Sequence, residues 1–191
     1  MDDAAVPDEL LIARYAAGDT VAFDELYARH EQPLWRYLLR QCASRATAEE
    51  LMQDVWFAVA REAPRFRPEG RFTPWLYAIA RHRAIDQLRG LRRHASLDDT
   101  ADDESLPLGE SLADERSPQP ADDAERGEQR DAILAALQQL PALQREAFVL
   151  QADCGLGLEE IATITGTSFE TAKSRLRYAR EKLKLLLRDY A

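Results

Sequence analysis

Apolar residues recur along this chain at intervals of three and four, and no stretch alternates apolar and polar residues between hairpin turns. The pattern predicts helices and no sheet. Phe23, Leu26, Tyr27, Leu34 and Leu38 form one stripe, which Pro33 is expected to kink or break. Thr47-Ala-Glu-Glu50 has the form of a capping box and predicts a helix from about residue 48, with Leu51, Val55 and Val59 inward and Met52 and Trp56 alongside. Arg67-Pro-Glu-Gly70 reads as a turn. Another helix follows through Trp75, Leu76, Ile79, Ala80, Ile85 and Leu88. Further along, Ile133, Leu134, Leu137 and Leu140 make a stripe ended by Pro141, and Leu143, Ala147, Phe148 and Leu150 make the next.

Between these two helical halves the pattern vanishes. Residues 95–127 are rich in Asp, Ser, Pro and Ala and contain no aromatic residue. Such a composition buries too little apolar surface to offset its ordering entropy, so a disordered linker is expected. As a flexible coil it would span about 30 Å. The expected architecture is all-α: two small helical domains, residues 1–93 and 129–191, joined by a flexible acidic linker over 94–128.

Charge follows the same division. The net charge of −9 would oppose a nucleic-acid partner if it were evenly spread. Residues 94–128 hold 12 acidic residues against 2 Arg, so that one stretch carries the acidity. Residues 65–93 carry 8 Arg against Glu69 and Asp86, and residues 171–188 carry 7 Lys and Arg against Glu181. Two basic patches on either side of an acidic connector fit two contacts with a polyanion. Solvated helix faces would have the same composition, so charge alone does not decide.

The sharpest local signal lies at 157–183. Leu158-Glu-Glu-Ile-Ala162 opens a short helix, Gly166 breaks it, and Thr167-Ser-Phe-Glu170 reads as a second capping box, with the next helix starting at about residue 168. Ala172, Leu176, Ala179 and Leu183 would be buried; Thr171, Lys173, Ser174, Arg175, Arg177 and Tyr178 occupy the other faces. A small Ala where two helices cross, a Gly at the turn and a basic second helix form a helix-turn-helix. Its second helix would lie in the major groove, with Lys and Arg suited to guanine edges or phosphates. The plainer reading is a helical hairpin with a basic face; spacing, capping and charge together favour the helix-turn-helix.

Other classes are excluded or weakened. Cys42 and Cys154 have no CxxC spacing, which leaves no disulfide framework and no cysteine zinc site. No apolar run approaches the roughly 18 residues that span a bilayer, and the acidic MDDAAVPDELL start is unlike a secretory signal, so no membrane insertion and a cytoplasmic location are expected. There is no Gly-rich phosphate loop, metal cluster or Ser/His/Asp motif, so no catalysis and no cofactor are expected. His82 lacks a Glu or His partner at zinc-site spacing.

Residues 48–56 (AEELMQDVW), 66–81 (FRPEGRFTPWLYAIAR) and 84–89 (AIDQLR) resemble region 2 of bacterial extracytoplasmic-function (ECF) sigma factors. Residues 155–162 (GLGLEEIA), 171–176 (TAKSRL) and 179–183 (AREKL) resemble region 4 of the same family. A helix-turn-helix alone is shared by many regulators; the two regions joined through an acidic linker are far more specific. The lack of an added acidic N-terminal domain or a third domain between them also matches the ECF group.

The resemblance implies roles residue by residue. Glu49, Glu50, Leu51, Gln53, Asp54 and Val55 would dock on the clamp helices of core RNA polymerase, carboxylates pairing with basic residues and Leu51 and Val55 supplying apolar contact. Glu49 and Glu50 would in any case complement the helix N-terminus. Arg67, Arg71, Phe72, Thr73, Trp75, Arg81, His82 and Asp86 fall in the elements that recognise and melt the −10 region. Base stacking on an aromatic ring contributes about 1–3 kcal/mol, and Phe72, Trp75 and Tyr77 are the candidate rings. Aromatic residues at helical spacing are more often core; Trp75 is expected to be largely buried, and the loop around 67–73 to cradle a flipped base. Thr171, Lys173, Ser174, Arg175, Arg177 and Tyr178 would read the −35 element. His82 stands where the family often has Asn, Ala172 where Val is common, and Tyr178 and Gln151 where Arg is common. Each lost phosphate contact should lower the salt slope by about 1.

The implied function is promoter selection for core RNA polymerase, with promoter DNA and an anti-sigma factor as further partners. Two rivals stand beside it. A stand-alone helix-turn-helix regulator would bind duplex DNA without polymerase. A sigma-like decoy that titrates an anti-sigma factor would have no need of the basic sets at 65–93 and 171–188.

Overall fold

A computed structural model describes residues 6–42, 44–67, 69–95 and 132–188, with backbone alone for 88 and 90–95. Its elements are α1 (Asp8–Ala16), α2 (Thr20–Gln41), α3 (Arg45–Glu62), a 3₁₀ turn (Ala63–Arg65), α4 (Phe72–Ala95), α5 (132–138), α6 (Ala142–Ala152), α7 (Leu158–Thr165) and α8 (Phe169–Leu186). No strand occurs among the described residues. The linker expectation falls mostly outside them; helix α4 extends through residues 94 and 95, past the expected boundary.

Helix α1 runs into α2 through Gly18, whose φ of +102° lies where other residues are strained. Asp19 then caps α2, its carboxylate accepting from Val21 and Ala22 N–H. Pro33 neither breaks nor ends this helix. The residues just beyond it, Leu34, Trp35, Tyr37 and Leu38, are all buried, and their packing outweighs the proline's lost hydrogen bond. Helix α3 begins three residues earlier than Thr47 suggests. Its cap is Ser44, which accepts the Thr47 N–H at 3.1 Å. The turn at Arg67 is present, closed by the Gly70 N–H on the Arg67 carbonyl at 2.9 Å.

In the second half, Leu137 and Leu140 of the α5 stripe are buried whereas Ile133 is exposed. Gly166 ends α7 with φ +66°, the left-handed geometry of a helix-turn-helix corner. Helix α8 starts at Phe169 with Ser168, one residue past Thr167, as its cap. Its buried stripe is Ala172, Leu176, Ala179 and Leu183, as the periodicity predicts.

The two halves do not stand apart. One continuous core runs from Leu11, Leu26, Leu38, Val55 and Tyr77 into Leu150, Leu156, Ile161 and Ala172. Ala136, Leu137, Leu140, Ala179 and Leu183 form a smaller second cluster. Helix α7 packs on α4, and α6 and α8 pack on each other. Among the described residues no helix is long and apolar enough to cross a membrane.

Candidate nucleic-acid and polymerase interfaces

Three faces carry the residues singled out above. The first is the outer face of α3, where Glu49, Glu50, Gln53 and Asp54 are exposed. Glu49 forms an i,i+4 pair with Arg45 at 3.3 Å, an exposed contact of small energetic value. Leu51 and Val55 do not join this face. They belong to the inward stripe with Ala48, Met52 and Val59, about a quarter-turn away, and are buried in the core. The apolar residue that does share the face is Phe57, three residues beyond Asp54, and it is 73% exposed. The periodic pattern hid it, because Phe57 adjoins Trp56 and Ala58, which are both buried.

The second face is the 66–71 loop with the start of α4. Phe72 is not available to stack on a base. It is fully buried, its N–H donates to Glu9 Oε1 of α1 at 2.9 Å, and its ring lies 5.1 Å from His30 and 5.8 Å from Trp75. Tyr77 is likewise buried, edge-on to Tyr37 at 5.3 Å. Trp75 is only half-buried, beside Phe66 at 5.1 Å, and is the one of the three candidate rings with surface to offer. Arg67, Arg71, His82 and Asp86 are exposed and Thr73 is half-buried.

The third face is α8. Lys173, Arg177 and Tyr178 are exposed; Thr171, Ser174 and Arg175 are half-buried. The Arg177 guanidinium lies over the Tyr178 ring at 4.7 Å. Lys173 sits 3.8 Å from Glu170 and 6.0 Å from the ring of Phe169, an exposed aromatic at the first position of the helix. Ser174 donates back to the Thr171 carbonyl at 3.0 Å. Gln151 accepts from Arg180 at 2.5 Å, which brings a guanidinium to the place where the sequence lacks one.

Among the described residues, three charge pairs join the first half to the second. Arg81 Nε donates to Glu146 Oε1 at 2.9 Å, with the Glu146 side chain 1% exposed and that of Arg81 12%. Arg71 donates to Glu160 at 2.6 Å, and Arg40 pairs with Asp153. Glu160 also caps α7 through the Gly157 N–H at 2.8 Å. Burial pushes the Glu146 carboxyl up, against the pull of Arg81 and, further off, Arg175. Its Oε2 has no hydrogen-bond partner among the described residues. Burial also raises Tyr37 and Tyr77, and pushes the Cys154 thiol, which lies beside Tyr77 and is drawn down by Arg40 and Arg36, to about 11. Cys42, within the first half, is pushed up to about 12. Such thiols are poor nucleophiles. Among the described residues no cluster of His, Cys, Asp and Glu is placed to hold a metal ion.

Of the residues singled out from sequence, the fold therefore brings Arg81 and the charge of Arg175 onto one carboxylate. Sequence reasoning missed that carboxylate. Its signal was present: Glu146 sits in the apolar register of α6, three residues after Leu143 and one before Ala147.

Comparisons place this arrangement. Residues 26–94 match the family model for Sigma-70 region 2, and residues 130–183 that for Sigma-70 region 4. The RNA polymerase sigma factor CarQ of Myxococcus xanthus is 36% identical over 174 residues, covering 91% of this chain and 94% of CarQ. The ECF RNA polymerase sigma factor SigM of Mycobacterium tuberculosis is 31% identical, covering 94% of this chain and 84% of SigM. Among solved structures, CnrH in complex with the cytosolic domain of CnrY superimposes with a TM-score of 0.66 at 25% identity, covering 96% of this chain and 99% of that one. RpoE of Bartonella quintana, solved with the anti-sigma factor NepR, shares the fold with a TM-score of 0.68 at 24% identity, covering 87% and 96%. The chain belongs to the RNA polymerase sigma factors of the ECF type, which direct core polymerase to promoters and perform no catalysis of their own.

Proposed function

We propose that residues 1–93 bind core polymerase and engage the −10 element, and that residues 129–191 read the −35 element, with residues 94–128 between them. The observation that carries the polymerase contact is the exposed acidic strip of α3, Glu49, Glu50, Gln53 and Asp54, with Phe57 bare beside it. Acidic residues ringing one exposed aromatic suit a basic helical partner with an apolar seat. Leu51 and Val55 support the strip from below.

Around −10, Arg67, Arg71, Arg81 and His82 supply charge and donors for the strand, Thr73 and Asp86 supply polar contacts, and Trp75 is the stacking ring. Around −35, Lys173 and Arg177 contact bases or phosphates, with Thr171, Ser174, Arg175 and Tyr178 flanking them. The protein acts in the cytoplasm beside the polymerase. An anti-sigma factor is its expected restraint, since CnrH and the Bartonella RpoE were both solved with a bound partner.

The test is co-elution of the full chain with bacterial core polymerase on a sizing column, with Asp54→Arg as control. Co-elution of the wild type, lost in a folded Asp54→Arg, supports the reading. A folded wild type that never co-elutes overturns it in favour of a stand-alone regulator or a decoy.

A further inference from the structure

The exposed side of helix α8 is basic, with an exception in its first turn. Lys173 and Arg177 are exposed there, and so is Glu170, whose side chain is 77% exposed. Glu170 precedes Lys173, Ser174 and Arg177 by three, four and seven residues, which puts all four on one side of the helix. The helix does not need Glu170 as its cap, because Ser168 accepts the Thr171 N–H at 3.2 Å. Among the described residues the Glu170 carboxylate has one partner, the Lys173 ammonium at 3.8 Å. That ammonium also lies 6.0 Å from the ring of Phe169, so two neighbours hold it at the start of the helix.

A carboxylate on a surface that meets phosphates weakens binding to every sequence unless it finds a hydrogen-bond donor. In the major groove the donors are the exocyclic amines of cytosine and adenine. Adenine presents the acceptor N7 beside its amine, and that lone pair repels a carboxylate. The major-groove edge of cytosine carries the N4 amine and no acceptor, while its guanine partner presents O6 and N7. A carboxylate and an ammonium 3.8 Å apart match this pairing of donor and acceptors.

We propose that Glu170 and Lys173 together read one C·G base pair of the −35 element, Glu170 accepting from cytosine N4 and Lys173 donating to the paired guanine. The proposal rests on the −35 reading of residues 129–191 given above and adds Glu170 as a specificity-determining residue. The Gly166 corner and the Ser168 cap fix where α8 begins, and so place Glu170 in the first turn, the part of a recognition helix that meets base edges. The other acid of α8, Glu181, stands eleven residues further on, about 16 Å along the axis. Thymine or guanine in place of the cytosine would set an acceptor against the carboxylate, so Glu170 also rejects wrong bases.

The test uses the full chain assembled with core polymerase. Binding to fluorescent promoter duplexes, changed one base pair at a time across the −35 element, is measured by anisotropy for wild type, Glu170→Ala and Glu170→Gln. The wild type should prefer C·G at one position by roughly tenfold over the other three pairs. Glu170→Ala should lose that preference and bind the other three duplexes more tightly than the wild type does, because a repulsive charge is gone. Glu170→Gln should move the preference toward A·T, since an amide pairs with adenine N6 and N7. At the same position, 2′-deoxyzebularine, a cytosine analogue without the 4-amine, is placed opposite guanine. It should weaken the wild type by roughly tenfold and leave Glu170→Ala unchanged.

A helix-terminal charge with no reading role would change affinity for all four pairs alike, and that result overturns the proposal. So does an amine deletion that weakens wild type and Glu170→Ala equally, because Glu170 would then act only by holding Lys173. A wild type that discriminates among −35 duplexes without any C·G preference overturns the proposal and leaves the proposed function standing. A wild type indifferent to every −35 substitution overturns both.

Discussion

Glu9, on the first helix, accepts the backbone N–H of Phe72 at 2.9 Å and so caps a helix that begins 63 residues later. Helix α4 carries Trp75, Arg81, His82 and Asp86, and it owes its starting position to a side chain from the other end of the unit. Replacing this cap removes a charge-assisted hydrogen bond at a helix N-terminus. Glu9→Ala should lower the stability of the protein by about 1 kcal/mol. Glu9→Gln should recover part of the loss. Urea unfolding measures both; equal stabilities for all three proteins would show that Glu9 does not hold α4.

In α3 the exposed strip and the buried stripe lie on different faces, and substitutions on the two should have different effects. Phe57→Ala should weaken co-elution with core polymerase while leaving stability within about 0.5 kcal/mol, because the ring is exposed. Val55→Ala should do the reverse in kind: it empties a fully buried site, costs about 1–3 kcal/mol in urea melts, and affects polymerase binding only through folding. If Val55→Ala, at a temperature where it is folded, loses binding while Phe57→Ala keeps it, the contact face has been misassigned.

On α8, Lys173→Ala combined with Arg177→Ala removes two exposed cations without touching the buried stripe. Binding of the polymerase complex to −35 DNA should weaken, and the slope of log affinity against log salt should fall by about 2. Binding to core polymerase should be unchanged. A salt titration by fluorescence anisotropy gives both the affinity and the slope.

Glu146 has a pH signature. Burial, outweighing Arg81 and Arg175, raises its carboxyl above the ordinary 4.5, so the folded state holds a proton more tightly than the unfolded chain does. The stability gained from that proton is full below pH 4.5 and is lost as pH rises through the raised value. Glu146→Gln cannot titrate. The unfolding free energy of the wild type minus that of the variant should therefore increase as pH falls from 7 toward 5. Parallel pH profiles would contradict the burial of this carboxyl.

What could be read from the residues alone follows how local each determinant is. The α8 stripe, the Gly166 corner and the turn at Arg67–Gly70 depend on neighbours within a few positions, and pattern alone locates them. Pro33 does not break α2, because its cost is local while its compensation, the burial of Leu34, Trp35 and Tyr37, is tertiary. Ser44 and Thr47 both fit a cap, and only the backbone path selects Ser44. Sequence alone leaves Phe72 a candidate stacking ring, because its burial depends on α1 and α2 arriving from elsewhere. The meeting of Arg81 with Glu146 bridges 65 residues, and no periodicity encodes such a contact. A glutamate in an apolar register was the trace it left.

The charge pairs between the halves among the described residues, each with its arginine in the first half and its carboxylate in the second, have a consequence for inheritance. Reversing one member of Arg40–Asp153, Arg71–Glu160 or Arg81–Glu146 turns attraction into repulsion, so viable lineages should change these positions in matched pairs. A chimera joining the first half of this chain to the second half of another sigma factor would keep the outer faces of both parents. It would keep the ionic contact between its halves only where the newcomer brings acids to the three facing positions.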